Sequence, residues 1–218
     1  MMLPLDFTTL AQQCAPQVSP VTMTAIVRTE SGFNPYAIGV THGRLVRQPV
    51  SEAEAVATAH VLAANGWNFS VGLAQVNRAN WAAYGLTERS AFDTCRNLAA
   101  GAAILQGCFT AARHGQTDVR RDPQAALRAS LSCYASGNLS TGYRAGYVQR
   151  VVDNARLPVP PFSHAVVPAI EPIPVVPVDH AVHSNPVRSR SADHPVSEPP
   201  DASPGTNVGE PDSSAVVF

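Results

Sequence analysis

The chain has 218 residues and a formal net charge of −1, which allows one domain of ordinary size with an appendage, or two small domains. Residues 1–157 hold 13 arginines against 9 acidic residues, a net charge of +4, whereas residues 158–218 have a net charge of −5. The basic excess is too weak and scattered for a nucleic-acid-binding surface. No stretch approaches the roughly 20 apolar residues that a membrane-spanning helix requires, so no membrane span is expected.

The start of the chain lacks the pattern of an export signal. Residues 1–15 contain no basic segment, and Asp6 interrupts their apolar character, which makes them a poor signal peptide. Residues 5–13 instead predict a short opening helix.

Residues 19–36 predict a short helix with a signal at each end. Ser19 is a favourable N-cap, because its hydroxyl can accept a hydrogen bond from a free backbone N–H of the first turn. Pro20 then takes the first helical position, where a missing N–H costs nothing. Gly32 stands where a helix C-cap favours positive φ, so the helix should end there.

One glutamate continues the apolar face of this helix. Glu30 follows Met23, Ile26 and Val27 at i+7, so the four side chains share one face. An ionised carboxylate is costly to bury unpaired, so Glu30 should find a partner or keep its proton through a raised pKa. A protonated glutamate at the lip of a cleft is what the general acid of glycoside cleavage needs. The alternative is a last-turn side chain that bends out to water.

Two short β elements are predicted on either side of another helix. Residues 36–48 contain two apolar runs around a glycine-containing turn, which predicts a β-hairpin. Ser51 and Glu54 form a capping box at the start of the next helix. The alternating side chains of residues 67–77 predict a strand that enters a turn at Gly72.

Most of the remaining sequence up to residue 157 has helical spacing of its apolar side chains. The fold class that follows is α+β and mostly α, with a small β-hairpin lobe. The predicted elements are one or two helical turns over 79–84, helices over 94–113, 124–135 and 143–155, and a polar loop over 115–122.

The chain has four cysteines, whose even number predicts two disulfides and an oxidising compartment. Four buried, reduced thiols are the alternative. The spacings match no zinc pattern, so no metal site is expected. Cys95 and Cys108 lie on one predicted helix, roughly 20 Å apart, which is beyond the reach of a disulfide. Two pairings remain open: Cys14–Cys95 with Cys108–Cys133, or Cys14–Cys108 with Cys95–Cys133.

The composition changes at Pro158. Residues 158–218 hold 13 of the 19 prolines and neither tryptophan nor tyrosine. This segment cannot bury enough apolar surface to offset the entropy of ordering it. We therefore predict a folded domain over residues 1–157 and a disordered tail over residues 158–218, proline-rich at first and acidic towards its end.

Three short motifs follow one another in this order, separated by predicted helices. They are Glu30-Ser31-Gly32, Gly-Leu-Ala-Gln-Val-Asn at residues 72–77, and Cys-Tyr-Ala-Ser-Gly-Asn at residues 133–138, with Tyr147 beyond them. Together they resemble the goose-lysozyme-like lytic transglycosylases, over about residues 8–157. Those enzymes carry E-S, G-L-M-Q and A-Y-N-A-G motifs and a tyrosine on a final helix. The resemblance implies a lysozyme-like fold.

Finer features resemble the branch of that family that serves type IV secretion systems. They include the surroundings of Cys14, the insertion between Glu30 and Gly72, and the run D-x-C-R-N-L-A-A-G at residues 93–101. Members of that branch carry a proline-rich C-terminal extension, as this chain does. The resemblance implies a periplasmic protein, exported although no clear signal peptide is visible. It also implies two partners: peptidoglycan glycan strands and, through the tail, secretion-system subunits.

The resemblance implies that Glu30 is a single catalytic acid and base, with no cofactor. Glu30 would protonate the glycosidic oxygen between N-acetylmuramic acid and N-acetylglucosamine. It would then deprotonate the muramoyl C6 hydroxyl, which attacks C1 and leaves a 1,6-anhydro end. No water is consumed, and the motifs supply no second acid near Glu30, whereas the usual glycosidase scheme needs two carboxylates.

Further residues match the substrate-binding positions of the family. The chain departs from the pattern at Ala135, where the family has asparagine, and whether Asn138 substitutes for it is left open. Trp67 and Trp81 flank the second motif and are expected to pack in the core, with stacking on sugar rings as the alternative. The implied substrate-binding residues are Ser31, Gln75, Asn77, Tyr134 and Tyr147.

Two functions of different classes follow from this sequence. The first is an enzyme that cleaves peptidoglycan non-hydrolytically and opens the wall locally for a secretion apparatus; a lysozyme-type hydrolase is the alternative within that class. The second is an assembly factor whose tail recruits secretion-system subunits, for which the proline-rich and acidic stretches of residues 158–218 are the relevant features.

Overall fold

The computed structural model describes residues 6–114, 121–158 and 173–177. Helices dominate these residues and a small antiparallel sheet accompanies them, which confirms the predicted α+β, mostly α, lysozyme-like class. No helix of the described residues is long and apolar enough to span a bilayer. The elements in chain order are α1 (Phe7–Cys14), α2 (Pro20–Ser31), β1 (Ile38–Val40), β2 (Gly43–Leu45), α3 (Glu52–Ala64), β3 (Phe69–Val71), β4 (Val76–Asn77), three 3₁₀ turns (Arg78–Asn80, Ala82–Tyr84 and Ser90–Phe92), α4 (Thr94–His114), α5 (Pro123–Ser136), α6 (Thr141–Arg144), α7 (Tyr147–Asn154) and β5 (Val175–Pro177).

The α2 helix begins and ends where the sequence predicts, although its N-cap differs. Gly32 has φ 58° and forms a left-handed C-cap. Ser19 stands at the N-cap position, but its side chain makes no capping hydrogen bond. Pro20 occupies the first helical position, where no N–H partner is needed.

The hairpin predicted for residues 36–48 is wrong in its pairing. Strands β1 and β2 both form, but β1 pairs antiparallel with β3, and β2 pairs with β5. The Thr41 N–H, just after β1, donates to the carbonyl of Asn68 at 2.9 Å. The local apolar pattern predicts strands, whereas the choice of partner strand depends on which faces are buried in the folded domain.

Strands β3 and β4 pair with each other, so the three-stranded sheet has the order β1-β3-β4.

The capping box at the start of α3 is half formed. The Ser51 hydroxyl accepts the Glu54 N–H at 3.2 Å, as predicted. The Glu54 carboxylate accepts the Val50 N–H at 2.8 Å and pairs with Arg47 instead of reaching back to the N-cap.

The last predicted helix, over residues 143–155, is divided in two. Gly146 adopts φ 69° and separates α6 from α7, because a left-handed residue interrupts the helical hydrogen-bond ladder. Helix α7 then begins at Tyr147 and buries Val148 and Val151 beside it.

Residues 173–177, in the segment predicted to be wholly disordered, form part of the fold. Strand β5 pairs antiparallel with β2, and the Val46 N–H donates to the Pro174 carbonyl at 3.1 Å. Ile173 is buried in the core. The high proline content of the whole segment hides this short apolar stretch, so the prediction is wrong for these five residues. Residues 115–120, 159–172 and 178–218 lie outside the described part of the chain.

The main core lies between the helices and the three-stranded sheet. Trp81 is buried there, packs edge-on against Phe69 and donates its indole N–H to the Val76 carbonyl at 3.3 Å. Its predicted core role is therefore confirmed. The largest fully buried apolar side chains of the described residues are Phe7, Phe69, Met23, Ile26, Ile38, Leu73 and Leu98.

Two disulfides hold helix α4 to its neighbours. Cys14–Cys95 joins α1 to α4, and Cys108–Cys133 joins α4 to α5. This is one of the two pairings that the helix geometry leaves open, and the alternative of reduced thiols is wrong.

The two disulfides should stabilise the domain unequally, because they close loops of different length. Chain-entropy arithmetic gives about 4.5 kcal/mol for the Cys14–Cys95 bond and about 3.5 kcal/mol for Cys108–Cys133, from sequence separations of 81 and 25. Urea unfolding of the double variants Cys14→Ala/Cys95→Ala and Cys108→Ala/Cys133→Ala measures both losses. A larger loss for the shorter loop would contradict this ordering.

Candidate active site

A cleft of about 290 Å³ lies where α2, α5 and α7 face β1 and β3. Its lining combines side chains from widely separated stretches of sequence, and Glu30 is its one acidic member among the described residues. Four predicted site residues line it. Within the part of the chain that the structure describes, the lining consists of Glu30, Gly39, Val40, Thr41, Ser70, Gln75, Tyr134, Ala135 and Tyr147.

Glu30 stands in the last turn of α2, in line with the buried Met23, Ile26 and Val27, and faces the cleft. Loss of water around its carboxyl raises its pKa from 4.5 to about 7. A hydrogen bond from Tyr147 and the positive charge of Arg150 lower the pKa, but desolvation is the larger effect. A large fraction of Glu30 is therefore protonated near neutral pH, as its place on the apolar face predicts.

Tyr147 donates a hydrogen bond to this carboxyl. Its hydroxyl donates to Glu30 Oε1 at 2.5 Å. Desolvation, and then the charge of Glu30, raise the pKa of Tyr147 well above its usual range, so the phenol keeps the proton that it donates. The guanidinium of Arg150 lies 5.8 Å from the centre of the Tyr147 ring.

A buried asparagine of α4 holds the turn after β3. Asn97 accepts the Ala74 N–H at 2.8 Å and donates to the carbonyls of Val71 and Ala91, each at 2.9 Å. Gly72 has φ 78°, and a Cβ there would stand 2.4 Å from the Asn97 amide nitrogen. The turn thus requires glycine for both its backbone angle and its close approach to α4.

Two hydroxyl groups attach the same turn to other helices. Ser31 donates to the Leu73 carbonyl at 2.9 Å, and Tyr134 donates to the Ala74 carbonyl. Ser31 therefore fixes the turn from α2 and does not line the cleft, whereas Tyr134 does both. On α4, a Cβ at Gly101 would lie 2.6 Å from the Ala74 Cβ and 3.1 Å from the Tyr134 oxygen.

Gln75 ends the turn with its amide held in one orientation. Its backbone adopts φ 46°, and Nε2 donates to the carbonyls of Ala37 and Gly72 at 3.0 and 2.9 Å. Its Oε1 would lie 2.8 Å from a Cβ at Gly39, which also lines the cleft. The Gln75 oxygen is therefore an acceptor on the cleft wall.

Two asparagines do not reach the cleft. Asn77 is buried, donates to the side chains of Asn68 and Ser70, and accepts the Ala79 N–H, so its polar groups are bonded within the fold. The Asn138 side chain accepts N–H groups of the turn before α6 and donates to a nearby carbonyl, as a turn cap. The Asn138 side chain is therefore used within this turn and does not line the cleft beside Ala135.

Most of the chain matches one known protein family. The family model described as the transglycosylase SLT domain matches residues 8–152, which contain every residue of this cleft. The chain belongs to the transglycosylase SLT family.

Curated relatives of this transglycosylase chain carry secretion-system names. It is 52% identical to the type IV secretion system protein virB1 of Brucella suis over 175 residues, which are 78% of this chain and 71% of that protein. It is 32% identical to protein virB1 of Agrobacterium fabrum over 160 residues, 72% of this chain and 62% of that protein. No solved structure matches the chain.

The transglycosylase cleft contains residues that the motifs did not single out. Ser70 could have been found, because the alternation that buries Phe69 and Val71 turns its side chain to the opposite face. Thr41 depends on where β1 ends, which the hairpin prediction obscured. Asn97 carried only the weak signal of a polar residue within an apolar helix face.

Replacing Glu30 should make the transglycosylase domain more stable at high pH. Its native pKa of about 7 exceeds 4.5, so the stability it contributes below pH 4.5 is lost as pH rises through about 7. Relative to wild type, Glu30→Gln should gain about 3 kcal/mol in free energy of unfolding between pH 4 and pH 8. Urea unfolding at both pH values measures this gain.

The matched control is Glu52→Gln, which alters an exposed carboxylate on α3 outside the cleft. It should show little of this pH-dependent gain. An equal gain in both variants would mean that general charge reduction, and not burial of the Glu30 carboxyl, causes the effect.

Proposed function

We propose that Glu30 serves as both acid and base in a peptidoglycan lytic transglycosylase that leaves 1,6-anhydromuramoyl ends. Membership of the transglycosylase SLT family supports the reaction class. The observation that carries the assignment of the acid is a lone carboxyl, with a pKa of about 7, in a cleft lined by no other acidic residue of the described chain. A hydrolase of the usual kind would present two carboxylates about 5 to 9.5 Å apart.

The first step is proton transfer from Glu30 to the glycosidic oxygen between N-acetylmuramic acid and N-acetylglucosamine. The bond from muramoyl C1 to that oxygen breaks, and the N-acetylglucosamine side leaves as an alcohol. Tyr147 donates to Oε1, which leaves Oε2 to carry and transfer the proton. The same hydrogen bond stabilises the carboxylate that the transfer produces.

The second step uses that carboxylate as a base. The muramoyl C6 hydroxyl gives its proton to Glu30 while its oxygen forms a bond to C1, which closes the 1,6-anhydro ring. Glu30 regains its proton, so the enzyme returns to its starting state without consuming water. A carboxyl with a pKa near the working pH suits both directions of transfer.

Gln75 and Tyr134 are proposed to orient the glycan strand. The Gln75 oxygen is a fixed acceptor for hydroxyl or N–H groups of a sugar, because both protons of its amide are already bound. Tyr134 holds the turn that carries Gln75 and forms part of the cleft wall beside Glu30. Such fixed groups lower the cost of positioning the substrate.

The relatives' names indicate the setting in which this activity is used. We infer that the chain acts outside the cytoplasm, in the periplasm, and opens the wall for a type IV secretion apparatus. Similarity to the virB1 proteins supports this role, and two disulfides fit an oxidising compartment. Recruitment of secretion-system subunits by the tail remains a prediction, which concerns mainly residues outside the described part of the chain.

Digestion of purified sacculi, followed by mass analysis of the released muropeptides, tests the reaction. We expect 1,6-anhydro ends; reducing muramic ends would instead identify a lysozyme-type hydrolase. Glu30→Gln should lower the rate about 10³-fold, the scale of a lost general acid and base. Glu52→Gln, a surface change, should keep wild-type activity, and full activity of Glu30→Gln would refute the assignment of the acid.

A further inference from the structure

Strand β5 is bound to the domain by backbone pairing with β2 and by a hydrogen bond to a side chain just before the strand. It pairs with β2 in the register Gly43 to Pro177 and Leu45 to Val175. Just before the strand, the Ile173 N–H donates to the hydroxyl of Thr58 on α3 at 3.1 Å. The Ile173–Thr58 hydrogen bond spans 115 residues of sequence, so it is a tertiary contact and not a local one.

The side chains of this segment divide into an inward and an outward set. Ile173 is 6% exposed and belongs to the main core, and Val175 packs partly against it. Val176 points the other way and is 38% exposed. An apolar anchor with backbone pairing beside it is the usual arrangement by which an extended segment adds a strand to a sheet edge.

Gly43 connects this strand to the cleft. A Cβ at Gly43 would lie 3.3 Å from both the Trp67 ring and Val40 Cγ1, and 3.4 Å from the Val176 carbonyl oxygen. Val40 lines the cleft. Gly43 therefore lies between the β5 backbone and Val40, a residue that lines the cleft.

Strand β2 pairs with no other strand of the described residues. Without β5 its outer backbone groups would have to find water or another chain, and a short strand with an open edge is poorly fixed. Movement of β2 would reach Val40 and Thr41, because β2 begins directly after the Thr41–His42 connection.

We infer that the edge of β2 and the buried Thr58 form a strand-docking site whose occupant is residues 173–177 of this chain. Occupancy of the site positions the cleft wall at Gly39–Thr41. The catalytic unit thus extends beyond the sequence-based boundary at residue 157. The effect on activity rests on the proposed function, whereas docking itself can be measured without it.

The test compares three substitutions in the full chain. Ile173→Asp places a charge in the core and should release the strand. Thr58→Val removes the acceptor of the Ile173 N–H with little change of shape, and serves if the first variant fails to fold. Val176→Asp adds the same charge on the exposed face of the same strand and is the matched control.

Amide hydrogen exchange gives the readout that is independent of activity. The Val46 N–H, bonded to the Pro174 carbonyl, and the Thr41 N–H, bonded to the Asn68 carbonyl, report on the strand and the cleft wall. Both should exchange faster in Ile173→Asp and Thr58→Val.

Activity on peptidoglycan strands should fall about tenfold in kcat/KM for Ile173→Asp and less for Thr58→Val, the scale expected when a cleft wall is misplaced. Val176→Asp should stay within about twofold of wild type. Unchanged exchange at Val46 would overturn the docking site. Faster exchange with unchanged kcat/KM would overturn its role in positioning the cleft wall. Loss of activity in Glu30→Gln bears only on the proposed function.

Discussion

The structure around the cleft depends on a carboxyl that is removed from water and held by one phenol. Glu30 continues the buried face of α2 into its last turn, and its carboxyl lines the cleft and accepts a hydrogen bond from Tyr147. Desolvation then raises its pKa to about 7, while Tyr147 limits that rise. Two opposed effects of different size thus place the group near neutrality, which a fully exposed or a fully paired glutamate could not reach.

One tight turn beside the cleft is fixed by side chains from three helices. Asn97 from α4, Ser31 from α2 and Tyr134 from α5 all bind the backbone of residues 72–75. The second and third motifs are therefore largely structural in their hydrogen bonding, and the motif residues that also line the cleft are Gln75, Tyr134 and Ala135. Catalytic geometry and stability are coupled at this turn, because each buried partner would be costly to leave unpaired.

Features with a local physical cause could be predicted from the sequence. The position of Glu30 on an apolar face follows from helical periodicity. The end of α2 follows from Gly32, because glycine readily adopts the positive φ of a C-cap. Features that depend on distant partners could not be predicted in this way. The local sequence does not determine that β1 pairs with β3, or that Asn97 has three backbone partners. It also does not distinguish the buried Ile173 from the prolines and valines around it.

Burial keeps the Glu30 carboxyl partly protonated at neutral pH. A carbon-13 NMR titration of the glutamate side-chain carboxyls measures this directly, with the Glu30 resonance assigned by its absence in Glu30→Gln. We expect a midpoint at about pH 7. A midpoint at or below 4.5, the ordinary value for a glutamate, would contradict the claim and remove the physical basis for a single acid and base.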